Sequence, residues 1–278
     1  MLNRTTMKRT AYLLVSIISI SIFSCTEKID IELDSTYERV VIEGYLTNEH
    51  KAHQVKISKS ADYFANKPAE PVTDAEVSIT DGSLVFNLTE IEEGIYETEE
   101  MKGTPGKIYT LDININGEHY TASDDMHTCP PIDSLKFKRS KTDSNYLAIL
   151  IYAQEPGDEV NHYAWLTYKN DTLVTDTLHE VTSSDDLLIN GSYINGVDVQ
   201  YIEAEPEDLI TLEMLSITKG YYDYMLKVKL ETTWNGGPFN GPPANFYGNI
   251  TNEALGYFAV YAVERKTAIV NEPSQKLH

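Results

Sequence analysis

The sequence predicts a mainly β protein: a small sandwich in the first half, a second β-rich region behind it, and one helix. Three observations predict this. Apolar and polar residues alternate with period two through much of the chain, as in Gln54-Val55-Lys56-Ile57-Ser58 and at Tyr109, Leu111, Ile113 and Ile115. Turn dipeptides such as Asp81-Gly82 and Asn116-Gly117 fall between these runs. The aromatic set is dominated by 19 Tyr, a residue that favours strands and amphipathic contacts.

Residues 1–25 stand apart from this pattern. Lys8 and Arg9 precede the apolar run Ala11–Phe23, which stops at Ser24-Cys25 and turns polar at Thr26-Glu27-Lys28. The run is well short of the roughly 20 apolar residues of a spanning helix. It reads as an export signal ending in a lipobox, with Cys25 acylated as the mature N-terminus. Ile22 and Ser24 fit that motif, whereas Phe23 is bulky where a small residue is common, and Met7 offers a more standard start. Each buried acyl methylene contributes about 0.8 kcal/mol, so several chains would hold the protein permanently at a membrane. Residues 26–37 are then a tether.

Residues 38–129 read as the sandwich. Val40–Leu46 is apolar on both faces, and the Gln54 run alternates. Ala75–Thr80 alternates into Asp81-Gly82, and Leu84, Phe86 and Leu88 continue beyond it. Gly94 opens a short strand at Ile95-Tyr96. A further pair of strands flanks Asn116-Gly117, and Pro68-Ala69-Glu70-Pro71 is a rigid loop. Short strands with turns at this spacing suit a sandwich whose outer faces meet water.

Pro130-Pro131 marks the joint to a second region, 130–270, followed by a tail, 271–278. Leu135–Lys138 alternates. Tyr146–Tyr152 is apolar on both faces, as in a central strand. Tyr163–Tyr168, Val199–Ala204 and Leu209–Ile217 are further strands, and Thr175–Asn195 is polar enough to read as loop. Between Thr218 and Thr232 the residues Leu226, Val228 and Leu230 alternate like a strand. Tyr221, Met225 and Val228 have helical spacing, and Thr218 can cap, which favours a helix. Gly236–Pro243 holds too much Gly and Pro for regular structure. Leu255–Val263 makes the last strand.

Composition narrows the function. Residues 1–25 hold Arg4, Lys8 and Arg9 and no acid, so the remaining chain carries −24 against −21 for the whole. Such a surface repels nucleic acid and anionic lipid. With Cys25 acylated, Cys129 is the one remaining thiol, so stability rests on packed cores rather than disulfides. Thr128-Cys129-Pro130 is expected to be a linker thiol rather than a nucleophile. His50 and His53 would face opposite sides of a strand, and Asp124-Asp125, Asp185-Asp186 and Glu207-Asp208 lack a calcium-loop spacing. No cofactor or metal is therefore expected. The sequence has no Gly-x-Ser-x-Gly, His-Glu-x-x-His or phosphate-binding glycine loop, so the reading is non-catalytic. Candidate partner contacts are Phe239, Phe246 and Tyr247 in and after the Gly/Pro-rich loop, with Trp234 expected to cover core.

Four stretches, in order, carry a resemblance. They are Ser24-Cys25 leading to Val40-Val41-Ile42-Glu43-Gly44-Tyr45-Leu46, Ser58–Phe64 leading to Pro71–Val77, the Tyr221-Tyr222-Asp223-Tyr224 segment, and Asn249-Ile250 with Ala254–Phe258. With these the chain resembles the domain-of-unknown-function 4249 family of exported bacterial lipoproteins. The resemblance implies an N-terminal immunoglobulin-like β-sandwich and a second β-rich domain. Such proteins often stand beside TonB-dependent receptors, which implies an accessory role in ligand capture or uptake at the outer membrane. The family has no established catalytic residues to carry over. The contrasting expectation is a surface adhesin or structural envelope protein.

Cys25→Ala is expected to abolish fatty-acid labelling and move the protein out of the membrane fraction. Continued labelling of the variant would place the anchor elsewhere.

Overall fold

The computed structural model describes residues 38–61, 68–143, 145–157, 159–233 and 246–271. Cys25, the tether, Trp234, Phe239 and the Gly236–Asn245 loop lie outside the described residues. In chain order the strands are β1 (Val40–Thr47), β2 (Gln54–Lys59), β3 (Glu76–Thr80), β4 (Val85–Asn87), β5 (Thr89–Glu92) and β6 (Ile95–Glu97). They continue with β7 (Ile108–Ile115), β8 (Glu118–Asp125), β9 (Ile132–Arg139), β10 (Tyr146–Gln154), β11 (His162–Lys169) and β12 (Thr172–Leu173). Then come β13 (Thr182–Asp185), β14 (Tyr193–Glu203), β15 (Leu209–Ile217), helix α1 (Lys219–Thr233) and β16 (Leu255–Ile269). Among the described residues the protein is mainly β, as expected.

One long sheet runs in the order β12-β11-β15-β16-β1-β2-β6-β5, with β13 also paired to β11. Two smaller sheets, β4-β3-β7-β8 and β14-β10-β9, complete the set. The four-stranded sheet packs on the β16-to-β5 half. Ile42, Ile57, Tyr96 and Phe258 from the long sheet meet Ile79, Leu111 and Ile113 from the smaller one, all nearly inaccessible to solvent. The three-stranded sheet packs likewise on the β11–β15–β16 half, where Trp165, Leu212 and Met214 meet Leu147, Ile149 and Ile151. Both are sheet-on-sheet sandwiches with alternating inward residues.

The tight turns follow their residues. Asn116-Gly117 joins β7 to β8 with φ of 52° and 92°, and Asn170-Asp171 joins β11 to β12 with 49° and 62°. Two successive positive φ values match the right-handed twist of a hairpin, and Asn, Asp and Gly tolerate them best.

β16 is the common strand. Its first half pairs parallel with β1, from Val41↔Leu255 to Thr47↔Tyr261. Its second half pairs antiparallel with β15, from Ser216↔Ala262 to Leu209↔Ile269. The changeover is covered by side chains. The Asn48 Oδ1 accepts from the Val263 N–H at 2.8 Å and its Nδ2 donates to the Val263 carbonyl at 3.4 Å, extending the β1 ladder by one amide group. Two residues on, the Arg265 Nε donates to buried Glu213 at 2.5 Å, and Arg265 also pairs with Glu49. At the other end Gly256 has φ +94°, and a Cβ there would sit 2.0 Å from the Ile42 carbonyl oxygen. Only glycine lets the strand start this close to β1. The proline pair 130–131 lies between β8 and β9, but β16 serves both sandwiches.

On β16 the even positions Phe258, Val260 and Ala262 join the first core, and Ala268, with Val270 just beyond the strand, packs with the second. Tyr261 and Val263 face the opposite side with α1. Both sandwiches therefore use one face of the long sheet, and the helix lies on the other. Thr218 caps α1, its Oγ1 accepting from the Tyr221 N–H at 3.3 Å. Met225 is buried, while Leu230 is 71% exposed, so the helical spacing rather than the alternation describes this segment. Tyr221 packs on Tyr257 at 5.0 Å between ring centres, and Tyr224 on Tyr257 at 5.1 Å. Much of the tyrosine richness is thus the amphipathic filling between helix and sheet.

Asp124 at the end of β8 links three elements. Its carboxylate accepts from the Val260 N–H at 3.0 Å and from the Thr218 Oγ1 at 2.9 Å. Burial pushes this carboxyl up to about 6. Asp124→Ala is expected to lower stability by about 1–3 kcal/mol, because it leaves the Val260 N–H buried without an acceptor. Chemical denaturation measures this; an unchanged midpoint would show that water replaces the carboxylate.

Candidate functional site

The second sandwich does not close completely. Between β11, β13 and β15 on one side and β10 and β14 on the other is a cleft of about 280 Å³. Its walls are apolar, with Ile151, Trp165, Ile194, Val199 and Met214 among them. The turn after β13 forms its lip, closed by an Ile189 N–H to Asp186 carbonyl bond of 2.7 Å. Leu188 stands on that lip at 96% exposure while also lining the cleft.

Two bulges in β14 shape the opening. Facing β10, the pairing runs Ile149↔Gln200, then Leu150↔Asp198, then Ile151↔Val197, then Tyr152↔Asn195. Val199 and Gly196 are the extra residues. A regular strand would turn Val197 and Val199 one way and Asp198 the other. The bulges re-aim them, and all three line the cleft. Gly196 has φ +75°, and a Cβ would lie 2.8 Å from the Tyr152 hydroxyl, so this kink requires glycine.

A buried polar network forms the floor. Glu155 is 2% and Asp186 1% exposed. The Glu155 Oε1 accepts from the Tyr163 hydroxyl at 2.8 Å and from the Asn161 Nδ2 at 3.3 Å. Asp186 accepts from the Asn161 backbone N–H at 3.0 Å and from its Nδ2 at 3.3 Å. The Glu155 Oε2 is buried and receives no donor among the described residues, and its neighbour is the Asp186 carboxyl. A proton on Glu155 would let the two carboxyls share a hydrogen bond. Burial first, and the Asp186 hydrogen bond second, raise the Glu155 carboxyl to about 7. The Trp165 Nε1–H in the adjoining wall also lacks an acceptor among the described residues.

An apolar cleft with a few convergent polar groups and a shifted carboxyl is the usual form of a small-molecule site. Sequence reasoning finds only that Asp185-Asp186 lacks a calcium-loop spacing and reads Thr175–Asn195 as loop, yet this stretch contains β13 and the lip. Glu155, Asn161, Tyr163 and Asp186 converge only through long-range pairing, such as His162↔Asp185 between β11 and β13. The one local signal is Trp165 inside an apolar strand.

The other candidates are scattered. Tyr247 is exposed, with the Arg39 guanidinium 5.3 Å from its ring centre, and Phe246 is half-buried; neither lines the cleft. Buried His53 contacts the Met101 carbonyl at 3.1 Å, whereas exposed His50 pairs with Glu100 at 3.4 Å, so the two histidines are not brought together. The Cys129 thiol donates to the Met214 carbonyl at 3.4 Å and packs against both cores. Burial pushes it up to about 12, which keeps it a thiol at neutral pH.

Fold and cleft together define a double β-sandwich protein on one shared sheet, with its second sheet pair held apart by bulges. Residues 26–267 match the family described as Domain of unknown function (DUF4249), and the chain belongs to that family. Comparison with curated proteins gives no match.

The Glu155 proton has a thermodynamic consequence. A carboxyl raised on folding binds its proton in the native state when the unfolded chain has released it, so stability falls as pH rises from about 4.5 and levels off above about 7. Glu155→Gln keeps a donor toward Asp186 and an acceptor for Tyr163. It is expected to flatten this fall by on the order of 2 kcal/mol. Unfolding midpoints from pH 4 to 8 decide this; an equally steep fall in the variant would refute the shared proton.

Proposed function

We propose that this protein is an envelope lipoprotein, anchored to the outer membrane through Cys25, that captures a ligand without catalysis beside a TonB-dependent receptor. The observation that carries the reading is the cleft in the second sandwich, with apolar walls and a hydrogen-bonded acidic floor. The anchor rests on the apolar run ending at Ser24-Cys25, and the family match begins one residue later. The receptor partner rests on the resemblance to exported lipoproteins. A net charge of −21 disfavours nucleic acid and anionic lipid as targets and leaves the lipid as the attachment.

Tyr247 is the described residue best suited to touch a partner. It is 51% exposed, and Arg39 over its ring restricts its motion. A held aromatic loses little entropy when it is covered.

Purification of the lipidated protein from its native outer membrane is expected to bring down a β-barrel receptor. Tyr247→Ala is expected to weaken that association by about 1–2 kcal/mol while leaving the melting temperature unchanged. If no barrel accompanies the wild type and the protein binds cell-wall or host material instead, the adhesin reading replaces this one.

A further inference from the structure

We infer that the cleft takes a small organic cation, an apolar body bearing a protonated amine. This rests on the ligand-capture reading and adds the chemical class of the ligand. Four acidic side chains line the cleft and no lysine or arginine does. Glu155 and Asp186 lie on the buried floor, whereas Asp185 and Asp198 are exposed at the rim. The rim acids are placed by the fold: Asp185 ends β13 where it pairs with His162, and the β14 bulges turn Asp198 into the cleft. Each is also fixed locally. The Asp198 Oδ2 accepts from the Tyr201 hydroxyl at 3.0 Å, and the Asp185 Oδ1 accepts from the Leu187 N–H at 3.3 Å.

A negative rim around apolar walls discriminates by charge. A carboxylate or phosphate ligand would lose hydration and meet like charge. A neutral apolar ligand would gain from the walls alone. An amine gains from both, because its charge stays at the wet rim while its body enters the low-dielectric cleft, where the attraction to the acids is stronger than in bulk water. The indole of Trp165 adds an aromatic wall and carries a buried N–H with no acceptor among the described residues. Buried donors are nearly always paired, so this wall is incomplete without a further group. A divalent metal is a poorer match. Among the described residues no three His, Cys, Asp or Glu side chains gather as a metal site would require. The cleft volume of about 280 Å³ suits a ligand near the lower end of the small-molecule range.

Three nearly isosteric probes test the class: 2-phenylethylamine, 2-phenylethanol and 3-phenylpropanoate. Each is titrated calorimetrically into the lipidated full chain in zwitterionic nanodiscs. Trp165 fluorescence is read in parallel in a Trp234→Phe background, which leaves Trp165 as the sole tryptophan. The amine is expected to bind at least tenfold more tightly than the alcohol, to change the Trp165 signal, and to exceed the propanoate by more. Asp185→Asn with Asp198→Asn keeps both local acceptors. It is expected to weaken amine binding about tenfold without shifting the melting temperature or the affinity for the alcohol. If the alcohol or the propanoate binds as tightly as the amine, the cationic class is wrong and ligand capture stands. If none of the three binds, or if amine binding survives the double substitution, the inference fails, and co-purification with a barrel judges the capture reading separately.

Discussion

The structure depends on one strand serving two ladders. β16 is a parallel neighbour of β1 up to Tyr261 and an antiparallel neighbour of β15 from Ala262 onward. Every backbone amide taken into a core needs a partner, so a strand cannot leave one ladder and join another without cover at the crossing. Asn48 supplies it by hydrogen bonding both backbone groups of Val263, and Arg265 between Glu213 and Glu49 closes the next position. Because β16 has no bulge at the changeover, its alternation stays in phase from Phe258 to Ala268. The two cores therefore form on the same face of one sheet, and α1 packs on the opposite face together with Leu178 and Val181.

That arrangement explains why the cleft is where it is. The first sandwich is covered by four strands and is filled by large side chains such as Tyr96 and Phe258. The second is covered by three strands, and its outer strand β14 carries two bulges. The space left between β14 and the β11–β13 edge is neither fully apolar nor fully wet. Glu155 and Asp186 face one another there, with Tyr163 and Asn161 satisfying most of their oxygens and burial with the Asp186 contact raising the Glu155 carboxyl. The bulges that shape the cleft also bring Asp198 to its rim.

Much of the architecture was legible in the sequence because it is local. Alternation at Tyr109, Leu111 and Ile113 marks a half-buried strand, Asn116-Gly117 marks a hairpin, and Thr218 marks a helix start; each of these needs only neighbours. Three things needed distant partners and were not legible. Thr182–Asp185 is polar and becomes a strand because β11 offers it an edge, so tertiary pairing overrides propensity. The role of Leu255–Ile269 in both sandwiches cannot be seen in a strand that merely looks apolar on both faces. The cleft depends on bulges whose only trace is Gly196, one glycine among 15. Cys129 was legible as inert from its lack of a partner, and burial between the two cores supplies the reason.

If β16 couples the sandwiches, the described body opens as one unit rather than as two. Native-state hydrogen exchange on the β16 amides tests this most directly. The account predicts that Val260, on the β1 side, and Thr267, on the β15 side, exchange with the same free energy, equal to that of global unfolding. Two distinct free energies, with one half of β16 opening while the other stays protected, would contradict it.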